Sequence, residues 1–125
     1  MSTTKEDSTV SGGLFKVLAL QEANGGFVID KAFAQELTMS VKEINEISRK
    51  IQSTGNPENY TLLSTALVLA YIKNVYMDRI RIWESVVKKS EKWFADQVAL
   101  YSPKLESLEL LEWVETFLKV KGFIK

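Results

Sequence analysis

Apolar residues recur mostly at three- and four-residue spacing along this chain, the mark of helices with a buried face, and the width of that face changes from segment to segment. Leu14, Val17, Leu18 and Gln21 stand at helical spacing, which predicts a first helix over Leu14 to Ala23. Asn24-Gly25-Gly26 is expected to stop it, because glycine takes a left-handed backbone at a helix C-terminus without steric cost. Phe27-Val28-Ile29 reads as a short extended link that buries its side chains, and Asp30 as the N-cap of a short helix through Leu37. Ser40-Val41-Lys42-Glu43 has capping-box form, and Val41, Ile44, Ile47 and Ile51 then make a narrow apolar stripe. Gly55 is expected to end that helix. Asn56 would cap the next, with Pro57 at its first position, where a missing N–H costs nothing.

Between Pro57 and Pro103 there is neither glycine nor proline. Leu62, Leu63, Ala66, Leu67, Val68, Leu69, Ala70, Ile72 and Val75 point in nearly every direction on helical geometry, the pattern of a central buried helix. Beyond it, Trp83, Val86, Val87, Ser90, Trp93, Phe94 and Val98 share one side, with Glu84, Lys88, Lys89, Glu91, Lys92 and Asp96 opposite. That is an amphipathic helix lying on a core. One continuous helix would be about 65 Å long, whereas a globule of this size has a radius of gyration near ~14 Å. Compactness therefore predicts a break around Tyr76 to Arg81. Tyr101-Ser102-Pro103 should end the amphipathic helix, Ser107 should cap a last one over Leu108 to about Lys121, and Gly122 should close it. The expected fold is all-α, an irregular bundle of about five or six helices with no convincing strand. Met1 to Gly13 lacks apolar periodicity and reads as a tail or linker, leaving 14–125 as a single helical domain.

Composition narrows the function. The chain has 125 residues, 46% of them apolar and 26% charged, enough to build one core without covalent staples. It contains no cysteine and no histidine, which removes disulfides, thiolate sites, the commonest general base and the commonest metal ligand together. Sixteen basic residues balance 16 acidic ones, so there is no positive excess to neutralise a phosphate backbone, and nucleic acid is not an expected partner. The polar N-terminus lacks the form of a signal peptide, and no apolar run reaches the ~18 residues that span a bilayer. A cytoplasmic location is the expectation.

Candidate chemistry is sparse. Glu106, Glu109, Glu112 and Glu115 recur at three-residue spacing and, without a histidine partner, read as a solvated helix face. Asp78 beside Arg79 and Arg81 reads as a surface turn. Neither Gly12-Gly13 nor Gly25-Gly26 has the context of a phosphate-binding loop. Asn59-Tyr60-Thr61 matches a glycosylation sequon but falls at the start of the buried helix. No serine has an imidazole to activate it. Catalytic, cofactor-binding and metal-ligating residues are therefore all expected to be absent.

The tryptophans differ in kind. Trp83 and Trp93, on the apolar side of their helix, read as core. In the last helix Leu108, Leu110, Leu111, Trp113, Val114, Phe117, Leu118 and Val120 sweep roughly two-thirds of the circumference, more than packing on one layer requires. Either that helix is wedged in the core, or part of its surface awaits a partner. On the second reading Trp113, Phe117, Val120, Phe123 and Ile124 are the candidate protein-binding residues, Trp and Phe being side chains suited to interface cores.

Four stretches resemble the C-terminal helical region of proteins that carry a VIT domain and a von Willebrand factor A domain. They are Leu18-Ala19-Leu20-Gln21-Glu22-Ala23-Asn24-Gly25-Gly26-Phe27, Ala34-Gln35-Glu36-Leu37-Thr38-Met39-Ser40-Val41, Thr65-Ala66-Leu67-Val68-Leu69-Ala70-Tyr71-Ile72, and Trp83-Glu84 followed by Lys89-Ser90-Glu91-Lys92-Trp93. Tyr101-Ser102-Pro103-Lys104-Leu105 is similar to a Tyr-Pro bend in the vault poly(ADP-ribose) polymerase branch of that family. The resemblance spans about Leu14 to Leu118 and implies a non-catalytic module that binds the major vault protein and carries its parent into the vault shell. It carries no catalytic or metal-site residue across. The spacing Leu18, Gln21, Gly25, Phe27 also looks like one repeat of a terpene-cyclase-type α/α barrel, but no second copy is visible. Self-association, or service as a structural end-cap, is the alternative function that zero net charge and a broad apolar helix suit equally well.

Overall fold

The computed structural model describes residues 13–55 and 57–124, and within them the chain folds as an irregular helical bundle with one small β-ribbon. In chain order the helices are α1 (13–18), α2 (Lys31–Glu36), α3 (Val41–Ser48), α4 (Asn59–Val75), α5 (Ile80–Tyr101) and α6 (Leu110–Lys121). A 3-10 turn at Met77–Arg79 separates α4 from α5, inside the interval where compactness demanded a break. The tail reading of 1–12 and the cap reading of Asn56 lie outside the described residues, and Gly13 is already helical.

The core is organised around α4, against which α3, α5 and α6 pack. Every residue of α4 from Thr61 through Ile72 is buried, as a helix apolar on all sides must be. Thr65 and Ser64, two of the hydroxyl residues among them, and Tyr60 just before them hold the preceding link. Thr65 Oγ1 accepts from the Phe27 N–H at 2.9 Å and donates to the Thr61 carbonyl at 2.7 Å. Ser64 Oγ accepts from the Ile29 N–H at 3.3 Å, and Tyr60 donates to the Ile29 carbonyl at 2.8 Å. The extended link 27–29 thus buries Phe27 and Ile29 while side chains of α4 satisfy the backbone groups that its short bridge to the chain before it does not.

Capping chemistry behaves as expected at two helices. Asp30 Oδ1 accepts from the Phe33 N–H at 2.9 Å, and Ser40 and Glu43 form the reciprocal capping box of α3. Elsewhere the boundaries move. The helix expected over Leu14 to Ala23 ends at residue 18, and the chain reverses at once. Gln21 bridges Phe27, the Glu22 N–H bonds the Gly26 carbonyl at 2.7 Å, and Gly25 turns the chain at φ +103°. The glycines form the tip of a turn where a helix C-cap was expected. Gly25 also lies under α5: a Cβ there would stand 2.8 Å from the Lys89 carbonyl oxygen.

The helix expected to run to Gly55 stops at Ser48, and 51–53 continue extended before a bend at Thr54 and Gly55. Gln52 exchanges two backbone bonds of 2.8 Å with Lys104, which favours strand over helix at both places. Pro57 stands two residues before α4 instead of at its first position, and Glu58 takes the N-cap without a side-chain bond. Ser107 does not cap the last helix. Lys104–Leu105 (β1) pairs antiparallel with Leu108–Glu109 (β2), and Glu106 and Ser107 turn the ribbon with both φ values positive, 51° and 70°. That pairing removes Leu108 and Glu109 from α6, which starts at Leu110 and ends, as expected, at Gly122 with φ +89°.

Candidate functional site

Alpha-helix α6 meets the core along Leu110, Val114 and Leu118, all essentially without solvent exposure. By the 100° step per residue, these three fill one side, and Trp113, Phe117 and Val120 follow each other along the adjacent flank. The sequence question about this helix therefore has a divided answer: one face is wedged against α4, and the flank is covered only in part. Val120 is 84% exposed, the most exposed large apolar side chain among the described residues. Trp113 and Phe117 are half-buried and stack on each other, their ring centroids 5.0 Å apart and their planes 14° from parallel.

Polar groups pin this pair in place. Trp113 donates through Nε1 to Glu106 Oε2 at 3.3 Å, from the turn of the β-ribbon. Lys121 Nζ sits 5.5 Å from the centre of the Phe117 ring and donates to Thr38 Oγ1 at 3.1 Å. Cation, ring and ring form a row along the flank, tied at one end to the α2–α3 link and at the other to the ribbon. Beside Trp113 a shallow hollow of about 210 Å³ opens, lined by Ile47 and Lys50 from the end of α3 and by Leu105 and Glu106 from the ribbon. A second hollow of about 280 Å³ is bounded by Lys31, Gln35, Met39, Ser40 and Val41.

The five candidate residues do not share one environment. Trp113, Phe117 and Val120 form the flank. Phe123 turns inward against Tyr71, with centroids 5.9 Å apart, and Ile124 is buried in the core. The Gly122 turn reverses the chain, so the two tail residues return to the bundle, where Phe123 joins Phe33, Tyr71 and Tyr76 in an aromatic cluster. The glutamate series also separates: Glu106 lies in the ribbon turn and Glu109 in β2, so the four never shared a helix face. Sequence spacing gave no sign of Ile47, Lys50 and Glu106 beside Trp113, because the ribbon that brings them there was not foreseen. The Phe117–Lys121 step, by contrast, is the i to i+4 spacing that places a cation over a ring on a helix.

Nothing else converges. Among the described residues no group of three or more His, Cys, Asp or Glu side chains comes together. Asp78 and Arg79 pair at 3.3 Å within the exposed 3-10 turn. Trp83 is buried and donates to the Tyr76 carbonyl at 2.7 Å, and Trp93 packs on the core. The groups whose acidity shifts are core phenols: burial, with Tyr76 and Glu36 nearby, pushes Tyr71 up to about 12, and burial raises Tyr60 and Tyr76 as well. The sequon is embedded, with Thr61 buried and Asn59 Oδ1 out of contact with solvent. No helix among the described residues is long and apolar enough to cross a membrane. Comparison with family models, curated proteins and solved structures finds no match to the chain.

Proposed function

We propose that the chain is a non-catalytic protein–protein interaction module that docks through the outward flank of α6. The observation that carries this reading is the Trp113–Phe117–Val120 stripe. It presents a stacked aromatic pair and an 84% exposed valine on a helix whose adjacent face is fully anchored in the core. Aromatic side chains held rigidly at a surface lose little conformational freedom on binding, which makes them effective anchors. A rigid anchor beside a shallow hollow suits an apolar side chain or helix of another protein better than it suits a small polar substrate.

The major vault protein is the partner implied by the resemblance to VIT and von Willebrand factor A proteins, and the module would then carry its parent to a large cytoplasmic assembly. Mixing the purified chain with assembled major vault protein tests this. The chain should pellet with the particles in a saturable way. A chain that stays in the supernatant at high micromolar concentrations of shell protein contradicts the partner.

A further inference from the structure

The exposed side of α6 carries opposite charges at its two ends. Glu109, Glu112 and Glu115 are exposed towards the N-terminal end, and Lys119 is exposed towards the C-terminal end. Glu112 and Lys119 are seven residues apart, two helical turns, so both lie on the same side of the line through Trp113, Thr116 and Val120. Among the described residues neither takes part in an ion pair. A helix with such an arrangement is complementary to itself when reversed. Turned antiparallel across a two-fold axis near the middle of α6, the acidic end of each copy faces the basic end of the other. The line of each copy, apolar at Trp113 and Val120 on either side of Thr116, then meets its counterpart, and Glu112 of each approaches Lys119 of the other. Two-fold symmetry forms each contact twice.

We infer that a second copy of this chain occupies the flank, through antiparallel pairing of α6 with α6. The inference rests on the reading of that flank as a docking surface and names its resident occupant; a different protein docking there would displace the copy. The contact is small, since a 12-residue helix is only about 18 Å long. It belongs with the weak, transient interfaces, with a dissociation constant on the order of 0.1 mM. Zero net charge places no long-range repulsion between copies.

Sedimentation equilibrium of the full chain, of Glu112→Lys, of Lys119→Glu and of their equimolar mixture tests the pairing. The wild-type chain should shift from monomer to dimer as concentration rises through this range. Each single variant brings like charges together twice and should weaken the dimer by roughly tenfold or more. The mixture should recover the wild-type dimer, because every repulsive pair becomes attractive in the mixed species. A wild-type chain that remains monomeric to about 1 mM, or swaps that fail to rescue each other, overturns the pairing. Docking to another protein is read separately, from pelleting with shell particles. Lost pelleting on Val120→Asp in a monomeric chain refutes the second copy and keeps the docking surface. Dimerisation with swap rescue, alongside pelleting that ignores Val120→Asp, supports the pairing and refutes the shell protein as occupant.

Discussion

At the scale of single residues, the buried hydroxyls of α4 show how a polar atom is tolerated in a core. Thr65 Oγ1 receives the Phe27 N–H, which the short bridge to Gln21 leaves unbonded. Thr65→Val keeps the shape and deletes the acceptor, so it should cost roughly 1–3 kcal/mol, the penalty for a buried donor left unmet. Urea unfolding measures the loss, and Thr65→Ser should recover the polar part of it. An unchanged midpoint for Thr65→Val would show that this bond contributes nothing. Tyr71 makes a pH prediction. Burial is the first cause of its raised pKa, so the folded state holds the proton that the unfolded chain releases near pH 10. Its contribution to stability is complete below pH 10 and is lost as pH rises from 10 to about 12. Unfolding midpoints at pH 9 and 11 should therefore diverge, and Tyr71→Phe should narrow the difference. Equal dependence in both proteins would contradict the assignment.

At the scale of elements, two glycines with left-handed backbone separate conformation from crowding. Gly122 has nothing within 4 Å of where a Cβ would stand, whereas at Gly25 that atom would meet the Lys89 carbonyl at 2.8 Å and Trp93 Cβ at 3.1 Å. Gly122→Ala should cost about 1–2 kcal/mol, the strain of a left-handed L-residue. Gly25→Ala carries the same strain and also pushes α5 off the turn, so thermal unfolding should show the larger loss there. Equal losses would mean that α5 yields freely. The same comparison explains what could be read from the chain beforehand. Helices closed by their own chemistry, such as α3 with its Ser40 box or α6 with Gly122, were legible. Elements formed by pairing with distant residues were not. Gln52 with Lys104 is a non-local contact, and Glu106-Ser107 lacks the Asn-Gly or Asp-Gly signal of a tight ribbon turn. Ser107, read as a cap, and the apolar Leu108 together extended α6 back to Leu108, because a two-residue strand is too short to show its own alternation.

At the scale of the molecule, the layout follows from one helix needing cover on every side. Burial along α4 from Thr61 to Ile72 requires neighbours all round, and α3, α5 and α6 supply them. Once α6 has committed Leu110, Val114 and Leu118 to that cover, its remaining apolar residues are left half-buried, as Trp113 and Phe117 are, or exposed, as Leu111 and Val120 are. The chain resolves this differently along its length. Phe123 and Ile124 fold back after Gly122 onto the bundle, Trp113 and Phe117 stay half-buried beside Glu106 and Lys121, and Val120 stays outside. The breadth of the apolar arc in the sequence announced that something would be left over, but which residues were left over depended on the Gly122 reversal and the ribbon. The most direct test of the central claim compares Val120→Asp with Leu118→Ala for both folding and docking. Val120→Asp should unfold within about 0.5 kcal/mol of the wild-type chain and lose its pelleting with major vault protein particles, whereas Leu118→Ala should lose roughly 2–5 kcal/mol of stability. A Val120→Asp chain that pellets as well as the wild type, or one that unfolds as readily as Leu118→Ala, would contradict the account.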